Sequence, residues 1–408
     1  MYRSYRMSFG ITCGLLLIGA GSALAQDWPQ WLGPDRNCTA QITVPETWPE
    51  ALTQQWKTDV GQGCSSPVLV GDKLYILARM DDKEVLHCLD AATGKSVWQE
   101  SYSVDSFGGP DAREFMGPRS TPAVAQGKIV TLGVTGILTC YNVSDHKQLW
   151  QKDDFPGKFP RFHTSASPLI IDDMCIAFVG GSGDGALVAY DLDTGERKWA
   201  WNGDGPAYGS PSAATIDGIT AIVTLTDTKI VAVNAADGKL LWEAPFKTVS
   251  RAYNAATPLV YDRTMFYGGE GRGTMAVKFA KDGETFKAES LWTNPENTVQ
   301  YNSPILKNDA VFSLSSKDKL VCINAKDGTT AWTQPVEGND GYGSIIDAGP
   351  VLMALTGKSK LTVYEPSTQA FKEIASYTVA DTPTYACPAV SGNRIFVKDA
   401  ESVALWTF

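Results

Sequence analysis

Leu89-Asp90-Ala91-Ala92-Thr93-Gly94-Lys95-Ser96-Val97-Trp98 is echoed by Tyr190-Asp191-Leu192-Asp193-Thr194-Gly195-Glu196-Arg197-Lys198-Trp199. Variants run from Asn234 through Gly238 to Trp242, from Asn324 through Gly328 to Trp332 and, without the glycine, from Asn142 to Trp150. In all five, the Trp follows the Asp or Asn by eight residues. The spacing has a mechanical cause. Asp or Asn caps a turn through its side chain, Gly takes a positive φ, and the chain reverses into an antiparallel strand carrying the Trp.

Upstream of each hairpin, a small residue and Pro precede alternating apolar residues: Ser66-Pro67, Thr121-Pro122, Ser167-Pro168, Ser210-Pro211, Thr257-Pro258, Ser303-Pro304 and Cys387-Pro388. Proline suits the first residue of a strand, where no ladder donor is needed. Each unit thus reads as three strands, a turn and a fourth strand with Trp, at a period of about 40 to 50 residues, which defines the blade of a β-propeller.

Strand starts fall near 67, 122, 168, 211, 258, 304, 345 and 388, and outer strands near Trp56, Trp98, Trp150, Trp199, Trp242, Trp292, Trp332 and Glu373. The last start has no outer strand after it, and the first outer strand, residues 53–60, has no inner strands before it. Pairing these leftovers closes the ring and removes its sheet edges. The expectation is an all-β, eight-bladed propeller of four-stranded antiparallel blades spanning residues 26–408. Seven blades is the alternative, because unit 343–372 lacks both the turn Gly and the Trp. Trp98, Trp150, Trp199, Trp242, Trp292 and Trp332 read as structural clamps, each burying about 150 to 250 Å².

The first 25 residues combine Arg3 and Arg6, the apolar run 11–20 and Ala23-Leu24-Ala25, the pattern of a secretory signal peptide. The apolar core is too short to span a bilayer, so a periplasmic or secreted monomer without membrane insertion is expected. The chain carries a formal charge of −10, and two arginines with no acid lie in the leader, leaving −12 on the remainder. Such a surface argues against nucleic acid as a partner.

The Asp90, Thr93-Gly94-Lys95, Trp98 spacing resembles the tryptophan-docking repeat of pyrroloquinoline-quinone (PQQ) propellers. Asp27-Trp28-Pro29-Gln30-Trp31-Leu32-Gly33-Pro34 looks like the opening of the secreted PQQ-binding-like repeat proteins, which also resemble the propeller of the outer-membrane barrel-assembly machinery. The resemblance implies a fold; a fold does not fix an activity. Quinone-dependent dehydrogenases of the wider family carry an adjacent Cys-Cys pair, a calcium site of carboxylate and amide ligands, and an Asp base. This sequence has no adjacent cysteines. The expected function is therefore a non-catalytic scaffold binding an envelope protein or small ligand, with no cofactor. The alternative is an alcohol or sugar dehydrogenase using PQQ with calcium.

Seven cysteines follow the leader. Cys88, Cys140 and Cys322 stand two residues before Asp90, Asn142 and Asn324, where other blades have Ala189 and Ala232, and read as small core residues. Cys387 replaces the Ser or Thr before Pro. Cys38 and Cys64 are a candidate disulfide, and Cys175 is unassigned. The three histidines, His87, His146 and His163, match no zinc spacing, and no metal site is expected. The glycine-rich runs 180–185 and 268–273 align with hairpin turns.

One pattern points to a site. Tyr208, Tyr301, Tyr342 and Tyr385 lie three residues before a strand start, Arg119 fills that slot in the second blade, and His163, Arg251 and Tyr253 lie nearby. Inner strands start at one mouth of the central channel, so these side chains converge there. They form either a ligand or partner site, of the aromatic and Arg composition that dominates binding hot spots, or a plug bonded to neighbouring blades. The long connection 101–120 leads to the same mouth and reads as a lid or as a solvated loop. No catalytic residue is assigned.

Overall fold

The computed structural model describes residues 26–104, 117–249, 253–338 and 341–408. The leader, the central part of the 101–120 connection and Arg251 lie outside these. Eight four-stranded antiparallel sheets are present. Seven are continuous in sequence, and the eighth is composite. Its strands Ala389–Ser391, Arg394–Lys398 and Ser402–Thr407 accept Thr53–Asp59 as the outermost member, with Thr58 opposite Val403. The ring closes as the two leftover segments require. The seventh unit is a full blade, running from Gly343–Ala348 to Glu373–Thr378, so the seven-bladed alternative is excluded.

Burial follows position within the blade. Second and third strands are sandwiched between neighbouring blades, so both faces are apolar; Met174–Gly181 and Val351–Thr356 are buried at every residue. Outer strands such as Ser96–Ser103 alternate between exposed and half-buried positions, the period-two pattern of a sheet with one face in water. The glycine-rich runs form hairpins: Met174–Gly181 pairs with Asp184–Asp191, and Thr264–Gly269 with Gly273–Asp282.

The Trp repeat is an inter-blade device. The indole N–H of Trp150 donates to the Leu192 carbonyl of the next blade at 3.1 Å, Trp199 to Ala235 at 2.9 Å, Trp292 to Ala325 at 2.9 Å and Trp332 to Ser367 at 2.8 Å. Trp56 of the closing strand donates to Ala91 at 3.2 Å, so the composite blade is clamped like the others. Each of the first three indoles lies against the next blade's turn glycine. A Cβ on Gly195, Gly238 or Gly328 would come within 2.7 Å of the ring of Trp150, Trp199 or Trp292. In the second blade, where that glycine is missing, His146 takes φ 63° and stacks on Trp98 at 4.4 Å. Trp242 differs, packing edge-on against Phe279 at 5.1 Å.

A register shift recurs just before the Trp in each of these outer strands, and the Trp then faces Cys88, Cys140, Ala189, Ala232, Ala276 or Cys322. A bulge re-aims the side chain that follows it, and in these six blades a small residue lies opposite the indole, whereas Trp56 of the closing strand faces Leu405. The three cysteines at that repeat position are all fully buried.

Residues 28–41 form a strap across one end of the channel. Trp28 exchanges backbone hydrogen bonds with Leu69 of the first blade, and Val124 of the second donates to the Pro29 carbonyl. The Arg36 guanidinium, buried with its pKa pushed down to about 9, donates to the carbonyls of Pro168 and Pro211. Asp347 of the seventh blade donates to the Cys38 carbonyl, and Gly392 of the eighth to that of Gln41. Trp28, Leu32 and Cys38 belong to the same buried cluster as Ile345 and Phe396. The Cys38 sulfur lies 3.6 Å from that of Cys387. The candidate partner, Cys64, instead lines a pocket that Cys38 does not reach, so the two are not paired.

Candidate functional site

A second role of the residue before each strand-opening proline emerges around the channel. The Ser66 N–H donates to the Thr121 hydroxyl at 3.0 Å, Thr121 to Ser167 at 2.9 Å, Ser167 to Ser210 at 2.9 Å and Ser210 to Thr257 at 3.1 Å. Each hydroxyl satisfies a buried amide of the preceding blade, which would otherwise be an orphan donor. This partial ring fixes the inner strand starts at one level, and with them the residues just upstream.

Above it opens a cavity of about 450 Å³. Trp31 of the strap reaches it from the far end, its indole N–H donating to the Thr257 hydroxyl at 3.3 Å. The wall is of small residues, among them Ser165, Ser167, Ser210, Ala255 and Ser303, and the mouth is aromatic. Tyr208, Tyr253, Tyr301, Tyr342 and Tyr385 all line it, with Arg119. The rings touch in sequence: Tyr208 and Tyr253 at 4.8 Å, Tyr253 and Tyr301 at 5.6 Å, Tyr301 and Tyr342 stacked at 4.1 Å, and Tyr342 and Tyr385 at 5.2 Å. The hydroxyls of Tyr253 and Tyr342 meet at 3.3 Å. Buried amides anchor the loops beneath: Gln300 donates to the Tyr253 carbonyl at 2.7 Å, and Asn302 to that of Leu314 at 2.6 Å.

Six of the eight expected residues therefore come together. His163 does not line the pocket. It is buried, takes φ 67° and stacks on Phe159 at 4.8 Å, while its neighbour Phe162 enters the mouth. Phe162 is fixed from both sides of its peptide: its N–H donates to the Tyr208 hydroxyl at 3.1 Å, and its carbonyl accepts from Arg119 at 2.6 Å. Trp31, Phe162 and Cys64 were missed by sequence reasoning. Cys64 did carry a signal, since it stands three residues before Pro67, the offset of Arg119 and four of the tyrosines, whereas Phe162 and Trp31 fall outside that spacing.

Burial sets the electrostatics. It raises the pKa of Tyr208, Tyr253 and Tyr301 and pushes Tyr342 up to about 12, so the phenols stay protonated at neutral pH. Burial likewise raises the Cys64 thiol, which leaves it unactivated as a nucleophile. Desolvation, followed by the charges of Arg119 and Arg79, pushes His163 down to about 4, so it is neutral. Among the described lining residues, Arg119 is the one charged side chain and none is Asp or Glu. A calcium ion, as used by quinone-dependent dehydrogenases, takes carboxylate oxygens, and the described lining offers none. Among the described residues, no cluster of three or more His, Cys, Asp and Glu could hold a metal.

Residues 48–177 and 82–334 match the family described as outer membrane protein assembly factor BamB. BamB of Burkholderia pseudomallei is 26% identical over 355 residues, 77% of this chain and 88% of that protein. The quinohemoprotein alcohol dehydrogenase of Comamonas testosteroni is 26% identical over 193 residues, 45% of this chain but 27% of the enzyme. In structure, BamB from Moraxella catarrhalis superposes with a TM-score of 0.64 at 15% identity, covering 88% of this chain and 100% of that one. The Comamonas testosteroni dehydrogenase gives 0.70 at 14% identity, covering 95% and 81%. Likeness at these identities shows the fold alone, but the sequence match spans most of the repeat units. The chain belongs to the PQQ-like propeller family described by the outer membrane protein assembly factor BamB.

Proposed function

We propose that this protein is an exported, non-catalytic binding scaffold of the cell envelope that takes an envelope protein or a small ligand at its tyrosine-lined mouth. The composition of the pocket carries this reading. Its described lining combines protonated phenols, hydroxyls and a single guanidinium, with no carboxylate or imidazole among those residues to act as base. Such a surface offers stacking and hydrogen bonding but no general acid–base pair near neutrality. Relatives named for outer membrane protein assembly support the envelope setting.

Site-specific photo-crosslinking in cells tests it. Benzoylphenylalanine at Tyr385 should capture an envelope protein, whereas at Tyr261, 65% exposed and away from the mouth, it should not. A small ligand would appear as extra mass retained in native mass spectrometry. Tyr301→Ala combined with Arg119→Ala should abolish either signal while the protein still unfolds in one cooperative transition. Capture indifferent to that double variant, or neither adduct nor retained mass, contradicts the proposal. PQQ with calcium should give no saturable binding and no dye-linked oxidation of alcohols or sugars; turnover would establish the dehydrogenase instead.

A further inference from the structure

We infer that Cys38 and Cys387 are the two halves of a disulfide that locks residues 28–41 across the central channel. Two independent features single out the pair. The sulfurs are 3.6 Å apart, and the residues are 2% and 1% exposed. A bonded pair sits at about 2.05 Å, so bonding must draw the facing sulfurs about 1.5 Å closer.

The second feature is a break in the repeat. The corresponding position holds Ser66, Thr121, Ser167, Ser210, Thr257 and Ser303 in blades one to six, and four of these hydroxyls accept an amide from the preceding blade. Only the eighth blade has a thiol there, at the point where the strap brings its own sulfur. Cys38 is also held at φ 57°, a region L residues rarely adopt, while backbone bonds to Leu32 and Asp347 fix it on either side.

The chemistry is thiol–disulfide exchange with an external disulfide such as oxidised glutathione. One thiolate attacks the external S–S bond, giving a mixed disulfide and one free thiol. The second Cys sulfur displaces the remaining thiol, so one S–S bond forms, one breaks, and the two thiol protons leave with the two released thiols. Contact with the Cys387 thiol, and burial, raise the Cys38 pKa in the folded protein. Exchange therefore takes place as the strap docks, before both sulfurs are enclosed. The bond joins positions 349 residues apart and fixes Trp31 at the inner end of the tyrosine-lined pocket.

Peptide mapping tests this on the full chain refolded in a glutathione buffer, with free thiols alkylated in denaturant before digestion. The expected result is one crosslinked peptide pair carrying Cys38 and Cys387, with Cys64, Cys88, Cys140, Cys175 and Cys322 alkylated. Alkylation of Cys38 and Cys387 at every glutathione ratio, or a link from Cys38 to Cys64, overturns the assignment. Reduction should lower the melting temperature by about 5 °C and speed proteolysis of the strap about tenfold. The variant carrying Cys38→Ser and Cys387→Ser should show neither response to reductant. Equal strap cleavage in oxidised and reduced wild-type protein overturns the locking role. The mapping on wild-type protein decides the assignment even if the variant fails to fold.

Discussion

Gly328 answers two demands at once. Its φ of +75° favours glycine, and the Trp292 indole occupies the space a Cβ would need, with ring atoms 2.6 Å away. Gly283 has φ +65° but nothing within 4 Å. The pair separates the two effects. Gly283→Ala should cost about 1 kcal/mol for the left-handed backbone. Gly328→Ala should cost about 2 kcal/mol more, because the indole must move. Urea midpoints at constant slope measure both, and equal losses would mean that the indoles do not dock on the turns.

Two buried histidines set an acid limit at the same scale. Burial pushes both His87 and His163 down to about 4, against an ordinary value near 6.5. Between these values the unfolded chain binds more protons than the folded one, so stability falls as pH drops from about 6.5 to 4 and is fully present above. Burial of Glu84, whose carboxyl is raised by it, acts in the opposite sense. The test is therefore a difference: His87→Gln should lose stability less steeply than wild type between pH 6.5 and 4.5 in urea titrations. Parallel curves would place the acid sensitivity elsewhere.

Strands and turns were legible in the sequence because their causes are local and repeated. Asp or Asn, Gly and Trp at fixed spacing specify a hairpin in five units, and the strand starts and outer strands between and beyond them complete the count of eight blades. The hydroxyl before each proline was visible as a pattern but read only for its proline, since its acceptor role links different blades. Ser167→Ala tests that role by leaving the buried Thr121 amide without its partner. The expected loss is about 1 to 3 kcal/mol by chemical denaturation. A change well below 1 kcal/mol would mean that water or another group replaces the hydroxyl.

The whole molecule depends on contacts that no periodicity announces. Residues 28–41 carry no repeat signature, yet they hydrogen-bond to blades one, two, three, four, five, seven and eight and share a core with the last. Cys38 meets Cys387 only after the ring has closed, so pairing it with Cys64 on sequence grounds had no geometric support. The tyrosine mouth was legible because Arg119, Tyr208, Tyr301, Tyr342 and Tyr385 sit at one offset from the strand starts, with Tyr253 two residues further upstream. His163 and Phe162 fall off that offset, and which of them faces the channel was decided by the stacking of His163 on Phe159.

Ring closure underlies the channel, the strap and the pocket alike, and hydrogen–deuterium exchange of residues 53–59 tests it most directly. The amides of this segment that pair with Ser402–Thr407 should be protected to the same degree as those of that strand and should open together with it. Exchange at the rate of a free tail, with Ser402–Thr407 still protected, would contradict the closed eight-bladed ring and the site built on it.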